Sequence, residues 1–339
     1  MEPAAEVPAL ASAAPRVSGF WRRVAAYAVD GLVLGAAGQA LGFAFYDRLC
    51  GLAWGGRLLG LAVALSYLVP LTSAWGGGQT LGQRLLKIRV VDVSGRPVSV
   101  GRAALREFVL CFPFFLNGVL LPVQFNTPVA ATAVIVVVFL IGPSVIYLAA
   151  FNGRTRQGLH DLLAGTFVVP ADQLGGLESL PPIWGGHYAV IGVFSAALVA
   201  GGWWMMRWVS GLQGMPEILE ASRRIQDTGR WTVVSLVDGR QSDYGSKDGA
   251  RKSTFMTLAV LAEQPIRNPE KDADDMVRIL FAADPQALQA DRIAVSERRG
   301  FDLGIASFWT NKGAAYSTAE WRARLSSGTA AAPPSPPAP

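Results

Sequence analysis

The sequence predicts an α-helical multi-pass membrane domain of about five transmembrane helices followed by a small soluble α+β domain. Three observations carry that expectation. Hydrophobic residues make up 51% of the 339 positions and charged residues only 16%, and the mean hydropathy is +0.32, on the membrane side of the soluble range. Five apolar windows approach the roughly 20 residues that a helix needs to cross a hydrocarbon core. The charge then changes character along the chain: residues 1–210 hold 14 Lys and Arg against 9 Asp and Glu, while residues 211–339 hold 16 of each.

The windows run Val24–Tyr46, Ala53–Trp75, Phe108–Phe125, Val129–Phe151 and Tyr188–Trp208. The second carries Arg57 near its start, which can snorkel to the nearer interface. The third is short and holds Pro113, Asn117 and Pro122; it either spans or re-enters, and re-entry would flip everything after it. Basic residues set the orientation, because short retained loops keep Lys and Arg on the cytoplasmic side. With the N-terminus inside, Arg16, Arg22, Arg23, Arg84, Lys87, Arg89, Arg96, Arg102, Arg106, Arg154 and Arg156 are cytoplasmic, and Arg48, Arg57 and Arg207 lie at the outer edges. Five spans place the C-terminal domain outside. This distribution makes the net charge of +5 a topology signal and argues against nucleic acid as a partner.

Between spans, residues 76–107 form a patterned cytoplasmic loop. Gln79–Leu86 reads as an interfacial amphipathic turn with Leu81, Leu85 and Leu86 on one side. Ile88–Val93 and Pro97–Val100 flank Ser94-Gly95 and read as a small hairpin. Residues 1–18 are expected to be a disordered cytoplasmic lead-in, since Glu2 and Glu6 replace the basic start of a signal peptide. Residues 170–187 read as a linker, 188–208 as an additional transmembrane helix and 209–325 as the α+β domain. Within the last, Pro216–Thr228 is expected to be a helix, Trp231–Val237 and Ser253–Ala262 strands, and Pro269–Ala283 a helix. Arg292–Glu297 and Asp302–Trp309 are expected to form a hairpin turned at Arg299-Gly300. The Ala/Pro-rich stretch 326–339 reads as a disordered tail. The two cysteines, Cys50 and Cys111, fall toward opposite sides of the membrane, which excludes a disulfide framework.

Asp30 stands out on physical grounds. Seven positions into the first window, it lies about 10 Å below the start of that window. A carboxylate there costs on the order of 2.5 to 3.5 kcal/mol and needs a partner. Arg23 is two turns earlier on the same face, too far for contact. The candidate partners are Arg84, Arg102, Arg106, Arg154, Arg156 or Asn117, unless Asp30 is protonated. Asp30 belongs either to an ion or proton path or to a polar lock that sets helix register, the two weighing about equally. Arg22 and Arg23 have the simpler reading of positive-inside anchors. Gly142-Pro143-Ser144 reads as a kink or a broken helix in the fourth span.

Three segments carry a resemblance. They are Gly19-Phe-Trp-Arg-Arg-Val-Ala-Ala-Tyr-Ala-Val-Asp30, then Gly78-Gln-Thr-Leu-Gly-Gln-Arg-Leu-Leu-Lys-Ile-Arg-Val-Val-Asp92 with Ser94-Gly-Arg-Pro-Val98 close behind, and Arg156-Gln-Gly-Leu-His-Asp161-Leu-Leu-Ala-Gly-Thr166. In this order they resemble the RDD family of bacterial membrane proteins, over about residues 19–169. The arginine and two aspartates of the family's name then fall on Arg23, Asp30 and Asp161. The resemblance implies a four-span inner-membrane domain of undefined role, with transport, by cation/proton exchange or of a small solute, as the expected activity. It also raises Asp161, which hydropathy does not, and suggests that Arg23 or Arg22 pairs with it at the cytoplasmic interface while Asp30 lies deeper. The region after Pro170 is outside the resemblance.

The site candidates are therefore Asp30, Arg23 and Asp161, with Asn117, Pro143 and Arg22 in second place. No cofactor or metal is expected: His160 and His187 lack metal-site spacing. The acids Glu270, Asp272, Asp274 and Asp275 suit a helix N-terminus better than a calcium loop. No nucleophile–base pattern points to an enzyme. The expected setting is the bacterial plasma membrane, with the lipid bilayer as the first partner. Beside transport stands a second reading, a non-catalytic anchor or scaffold that presents residues 209–325 to an envelope protein or to a second copy of the chain.

Overall fold

The computed structural model describes residues 15–52, 55–118, 133–210, 215–243 and 251–327. Four of its helices are long and apolar enough to cross a membrane: α1 (Phe20–Ala44), α3 (Gly55–Thr72), α6 (Ala133–Phe151) and α8 (Gly186–Ser210). A short α2 (Tyr46–Cys50) follows α1, and α4 (Leu81–Leu85) lies between α3 and the strand β1 (Ile88–Val91). α5 (Val100–Leu116) packs along α3. After α6 come α7 (Leu159–Ala164) and β2 (Phe167–Pro170).

α1 starts at Phe20, four residues before its apolar window, so Asp30 lies about 15 Å along the helix. Its buried residues are Arg23, Ala26, Asp30, Leu34, Gly38 and Gly42, a single stripe at helical spacing that faces the bundle. α5 likewise begins earlier than hydropathy suggests. The side chain of Ser99 accepts a hydrogen bond from the Arg102 amide, which caps the helix inside what reads as loop. Cys111 therefore sits well up the helix, in a cluster with Leu34, Phe115 and Ile305, and not near its first turn; both cysteines are free. The third window lies partly in 119–132, outside the described residues, as does Pro122.

The small hairpin expected around Ser94-Gly95 is a correction. Asp92 does accept from the Gly95 amide in a turn, but β1 pairs antiparallel with β2, Ile88 opposite Pro170 and Val91 opposite Phe167. Val98 makes only an isolated bridge to Ser73. A partner some 80 residues away outcompetes the local one because Val90, Val91, Val168 and Val169 bury one another there. The lead-in is tied to the same sheet: the Ser18 amide donates to the Val168 carbonyl at 2.8 Å. The segment after β2 packs on it through buried Leu177.

α4 is two-sided, with Leu81 and Leu85 on its outer face. Gly82 and Gln83 are buried. A Cβ at Gly82 would collide with the Ala26 carbonyl of α1, so glycine is what lets the two backbones meet. In α6 the helix widens over Val137–Ile141 just before Gly142-Pro143, the expected response to a proline that cannot donate to the ladder. α8 buries none of its apolar window against the rest of the chain, which leaves Val193, Phe194, Trp203 and Trp204 on its surface.

The C-terminal part contains α9 (Met215–Asp227), β3 (Trp231–Asp243), β4 (Arg251–Ala262), α10 (Pro269–Ala283), β5 (Arg292–Asp302), β6 (Ser307–Ser317) and α11 (Thr318–Ser327). The strands form one sheet in the order β3-β4-β5-β6. β4 and β5 are parallel and the other pairs antiparallel, so α10 is the crossover that returns the chain across the sheet. Met256, Leu258 and Val260 of β4 and Ile293 and Val295 of β5 alternate into a core with Ile225, Met276, Val277, Leu280 and Trp321.

The hairpin turn expected at Arg299-Gly300 lies instead at Leu303–Ala306, and β5 runs through both residues, paired with Thr310 and Trp309 of β6. Gly300 is there for close approach: a Cβ would collide with the Phe308 carbonyl across the ladder. α11 was not expected, and it carries Ser326 and Ser327 as helix rather than tail. Trp321 is fully buried and donates its indole N–H to the Ile293 carbonyl at 3.0 Å. Trp321→Ala should therefore cost about 3–5 kcal/mol, read as a lowered unfolding transition of the C-terminal domain by near-ultraviolet circular dichroism of the full chain in detergent.

Candidate functional site

The site residues gather in two polar clusters strung along α1. In the first, Asp161, completely buried, accepts from two guanidiniums: Arg23 Nη1 at 3.1 Å on Oδ2 and Arg106 Nε at 2.9 Å on Oδ1. The Thr166 hydroxyl donates to Oδ1 at 3.1 Å and the Gly158 amide to Oδ2 at 3.3 Å. Arg23 also donates to the Arg156 carbonyl at 2.6 Å, a residue held at φ 55. That strained backbone is over-determined by the contact it makes. Arg106 continues to the buried Glu107 and, at 2.8 Å, to the Tyr27 hydroxyl. Two buried cations thus meet two buried acids.

Burial alone would push the Asp161 carboxyl up. His160 and the guanidiniums of Arg106 and Arg23 reverse that and hold it well below the usual carboxylate range. His160, buried with Nε2 at 3.5 Å from Asp161, is pushed down to about 4, mainly by burial, with Asp161 opposing. It is neutral at pH 7. Around this hub Arg102 donates to the carbonyls of Ala164, at 2.9 Å, and Gly165, closing the C-terminus of α7 where a cation complements the helix dipole.

The second cluster holds Asp30, which is buried. Tyr67 donates its hydroxyl to Oδ1 at 2.8 Å, the Gly82 amide to Oδ1 at 2.9 Å, and the Thr80 hydroxyl to Oδ2 at 2.5 Å. Thr80 is also the N-cap of α4, in a capping box with Gln83. None of the basic residues considered as partners, nor Asn117, reaches Asp30. Its partners are neutral donors from α3 and from the Gly78–Leu86 segment. Among the described residues it forms no ion pair.

The remaining candidates lie elsewhere. Arg22 donates to the Leu86 carbonyl at 2.7 Å, tying α1 to the end of α4. Asn117, at the far end of α5, offers its carbonyl to Arg57. Pro143 lines a cleft of about 220 Å³ between α6 and α8 with Tyr147, Val190 and Phe194. Sequence reasoning missed Arg106 and Glu107 as hub members, because they fall in a stretch that reads as loop. The Ser99 cap was the available signal. It also missed the Arg57–Asp302 pair, in which the guanidinium meets Oδ2 at 2.9 Å and 2.8 Å instead of snorkelling.

A cavity of about 370 Å³ lies beside Asp30. It is bounded by Tyr27, Asp30, Leu34, Cys111, Phe115 and, from the β5–β6 turn, Ile305. The acids of α10 are engaged by arginines: Asp272 and Asp275 by Arg230, Glu270 and Asp274 by Arg324.

Fold and site together define a helical membrane protein whose first helix is keyed to a buried arginine–aspartate hub. Residues 17–165 match the model of the RDD family, so this part of the chain is an RDD domain, and Arg23, Asp30 and Asp161 lie within the match. The region after it has no family match. No curated protein and no solved structure matches the chain.

Because Arg106 shares Asp161, the double reversal Arg23→Asp/Asp161→Arg should rescue only part of the folded yield lost in either single reversal. Full rescue should also require Arg106→Gln, with monodisperse yield in detergent as the readout. Removing one partner from such a buried set costs about 3–5 kcal/mol. A pH dependence follows as well. A histidine depressed when folded makes the unfolded chain the better proton acceptor, so stability should fall as pH drops from about 6.5 to about 4, by on the order of 3 kcal/mol. The Asp161 contribution, from a carboxyl depressed in the fold, should be lost only below about pH 4. Thermal unfolding at pH 7 and 4.5 should show the first window, and His160→Gln should flatten it.

Proposed function

We propose that this chain is a non-enzymatic membrane scaffold. Its RDD domain is a rigid seat that holds the C-terminal α+β domain for a partner in the cell envelope, and Asp30, Arg23 and Asp161 are locks that set the seat's geometry. The observation that carries the reading is the state of Asp30: both its oxygens are filled by donors from fixed backbone and neighbouring helices. A carboxylate that relays ions or protons needs an acceptor position that exchanges partners. Asp161 is engaged in the same way, on both oxygens, by Arg23 and Arg106, and Glu107 is held by Arg106 through one oxygen.

The scaffold sits in the bacterial plasma membrane with its N-terminus inside. Support comes from the basic residues Arg16, Arg22, Arg84, Arg89 and Arg102, which gather at the hub end. The C-terminal domain meets the bundle at the other end, through Arg57, Asp47 and Phe115, which fits an extracytoplasmic position. The partner, an envelope protein or a second copy, is engaged through residues 209–325. Transport is the second reading, favoured by the cavity beside Asp30.

Flux in proteoliposomes separates the two. The purified full chain, loaded with a pH-sensitive dye and challenged with sodium or potassium gradients, should pass no more protons than empty liposomes. Asp30→Asn, which keeps an acceptor for Tyr67 and Gly82, should leave that background unchanged. Flux above background that Asp30→Asn abolishes would overturn the scaffold.

A further inference from the structure

The β5–β6 turn enters the membrane domain at the end opposite the hub, and the two surfaces are cut to each other. Gly38 and Gly42 on α1 and Gly56 and Gly60 on α3, each pair four residues apart, form a groove without side chains. A Cβ at Gly60 would collide with the Leu303 carbonyl and one at Gly42 with the Phe301 ring; at Gly56 it would lie 2.6 Å from the Asp302 carbonyl and at Gly38 2.8 Å from Ile305. The turn answers with its own glycine. Gly304 has φ +73, and a Cβ there would come within 2.6 Å of the Phe115 ring.

A turn sunk between apolar helices has to satisfy its polar groups internally, and this one does. The Leu303 amide donates to the Ala306 carbonyl at 2.9 Å, and the Gly304 amide to Asp302 Oδ1 at 2.7 Å. The Asp302 charge is met by Arg57. At the hairpin's flank Arg299 pairs with Asp47 at 2.9 Å. Gly38, where Ile305 rests, is eight residues from Asp30, about 12 Å along α1. Between them lies the 370 Å³ cavity, with Gly304 and Ile305 as its wall on the side away from Asp30.

From this geometry we propose that the β5–β6 turn is a removable stopper: docked, residues 302–306 cap the end of the chamber beside Asp30 that faces the C-terminal domain, and displacement of that domain opens this end. The stopper can leave without unfolding its own domain, because the core around Met276 and Trp321 and the contact cluster around Leu49, Phe301 and Leu303 share no residue. The ties at its rim are two ion pairs, one with its acid largely exposed. The exposed pair contributes little and exchanges readily with water, which leaves the half-buried Arg57–Asp302 pair as the main tie. Closure goes beyond the scaffold reading, and it is readable with no solute carried.

Cys111 lines the chamber and reports on it. In a Cys50→Ser chain in right-side-out membrane vesicles, a charged, membrane-impermeant maleimide should label Cys111 slowly. Asp302→Arg, which sets two cations face to face, should raise the rate at least tenfold, and Arg57→Asp/Asp302→Arg should return it to within twofold of the starting value. Equal labelling in the native and Asp302→Arg chains would overturn the proposal, as would failure of the double reversal to restore protection. If Asp302→Arg does not fold, surface positions decide. In the Cys50→Ser chain, an Asp47→Cys/Arg299→Cys pair bridged by a short bis-maleimide that spans the length of the lost ion pair should slow residual Cys111 labelling at least fivefold, and an unchanged rate on bridging would overturn the proposal.

Discussion

The membrane domain depends on one buried carboxylate. Asp161 belongs to a six-residue helix that has little surface to bury by itself, yet it fixes α1 through Arg23 and α5 through Arg106. The arrangement holds because its charges are matched, Arg23 and Arg106 against Asp161 and Glu107. In a low-dielectric setting an unpaired guanidinium or carboxylate is far more costly than any single packing contact, so each member makes the others obligatory. The strand pair β1–β2 and the capping of α7 by Arg102 follow from where this carboxylate must sit.

α1 is the spine on which these constraints are arranged. Its buried stripe carries a cation at Arg23, a close backbone approach at Ala26, an acid at Asp30 and glycines at Gly38 and Gly42. Each turn of the helix thus meets a different partner: α7 and α5, then α4, then the hairpin of the C-terminal domain. Arg23 and Asp30 read as one motif in the sequence, yet in the fold they are independent. Arg23 answers a charge, while Asp30 organises a capped turn of neutral donors, Thr80 and Gly82. The shared cost of burying charge places both on the inner stripe, and their different partners give them different work.

The appended domain extends the same logic to the other end of the bundle. Its sheet and three helices form a core of their own, while the β5–β6 turn reaches into a groove of glycines. Glycine serves there because a backbone that must approach another backbone cannot carry a Cβ on the contacting face. An RDD domain joined to a region without a family match is thereby a mechanically connected pair, with Arg57 and Asp302 at the joint.

Much of this was legible in residues alone. The spans of α1, α3, α6 and α8 follow from apolar length, which reflects the cost of bringing a peptide group into hydrocarbon. α10 follows from a capped amphipathic period; the family resemblance raised Asp161 and left Arg22 and Arg23 both open as its partner, and the fold chose Arg23. What the sequence could not show are contacts between distant segments: the choice of β2 over a local hairpin partner for β1, the neutral donors of Asp30, the recruitment of Arg106 and Glu107, and the seating of Leu303 against Gly60. Local pattern encodes which face of an element must be hidden. Which surface hides it is decided only when the whole chain competes for the same buried volume, and for that the tertiary structure was required.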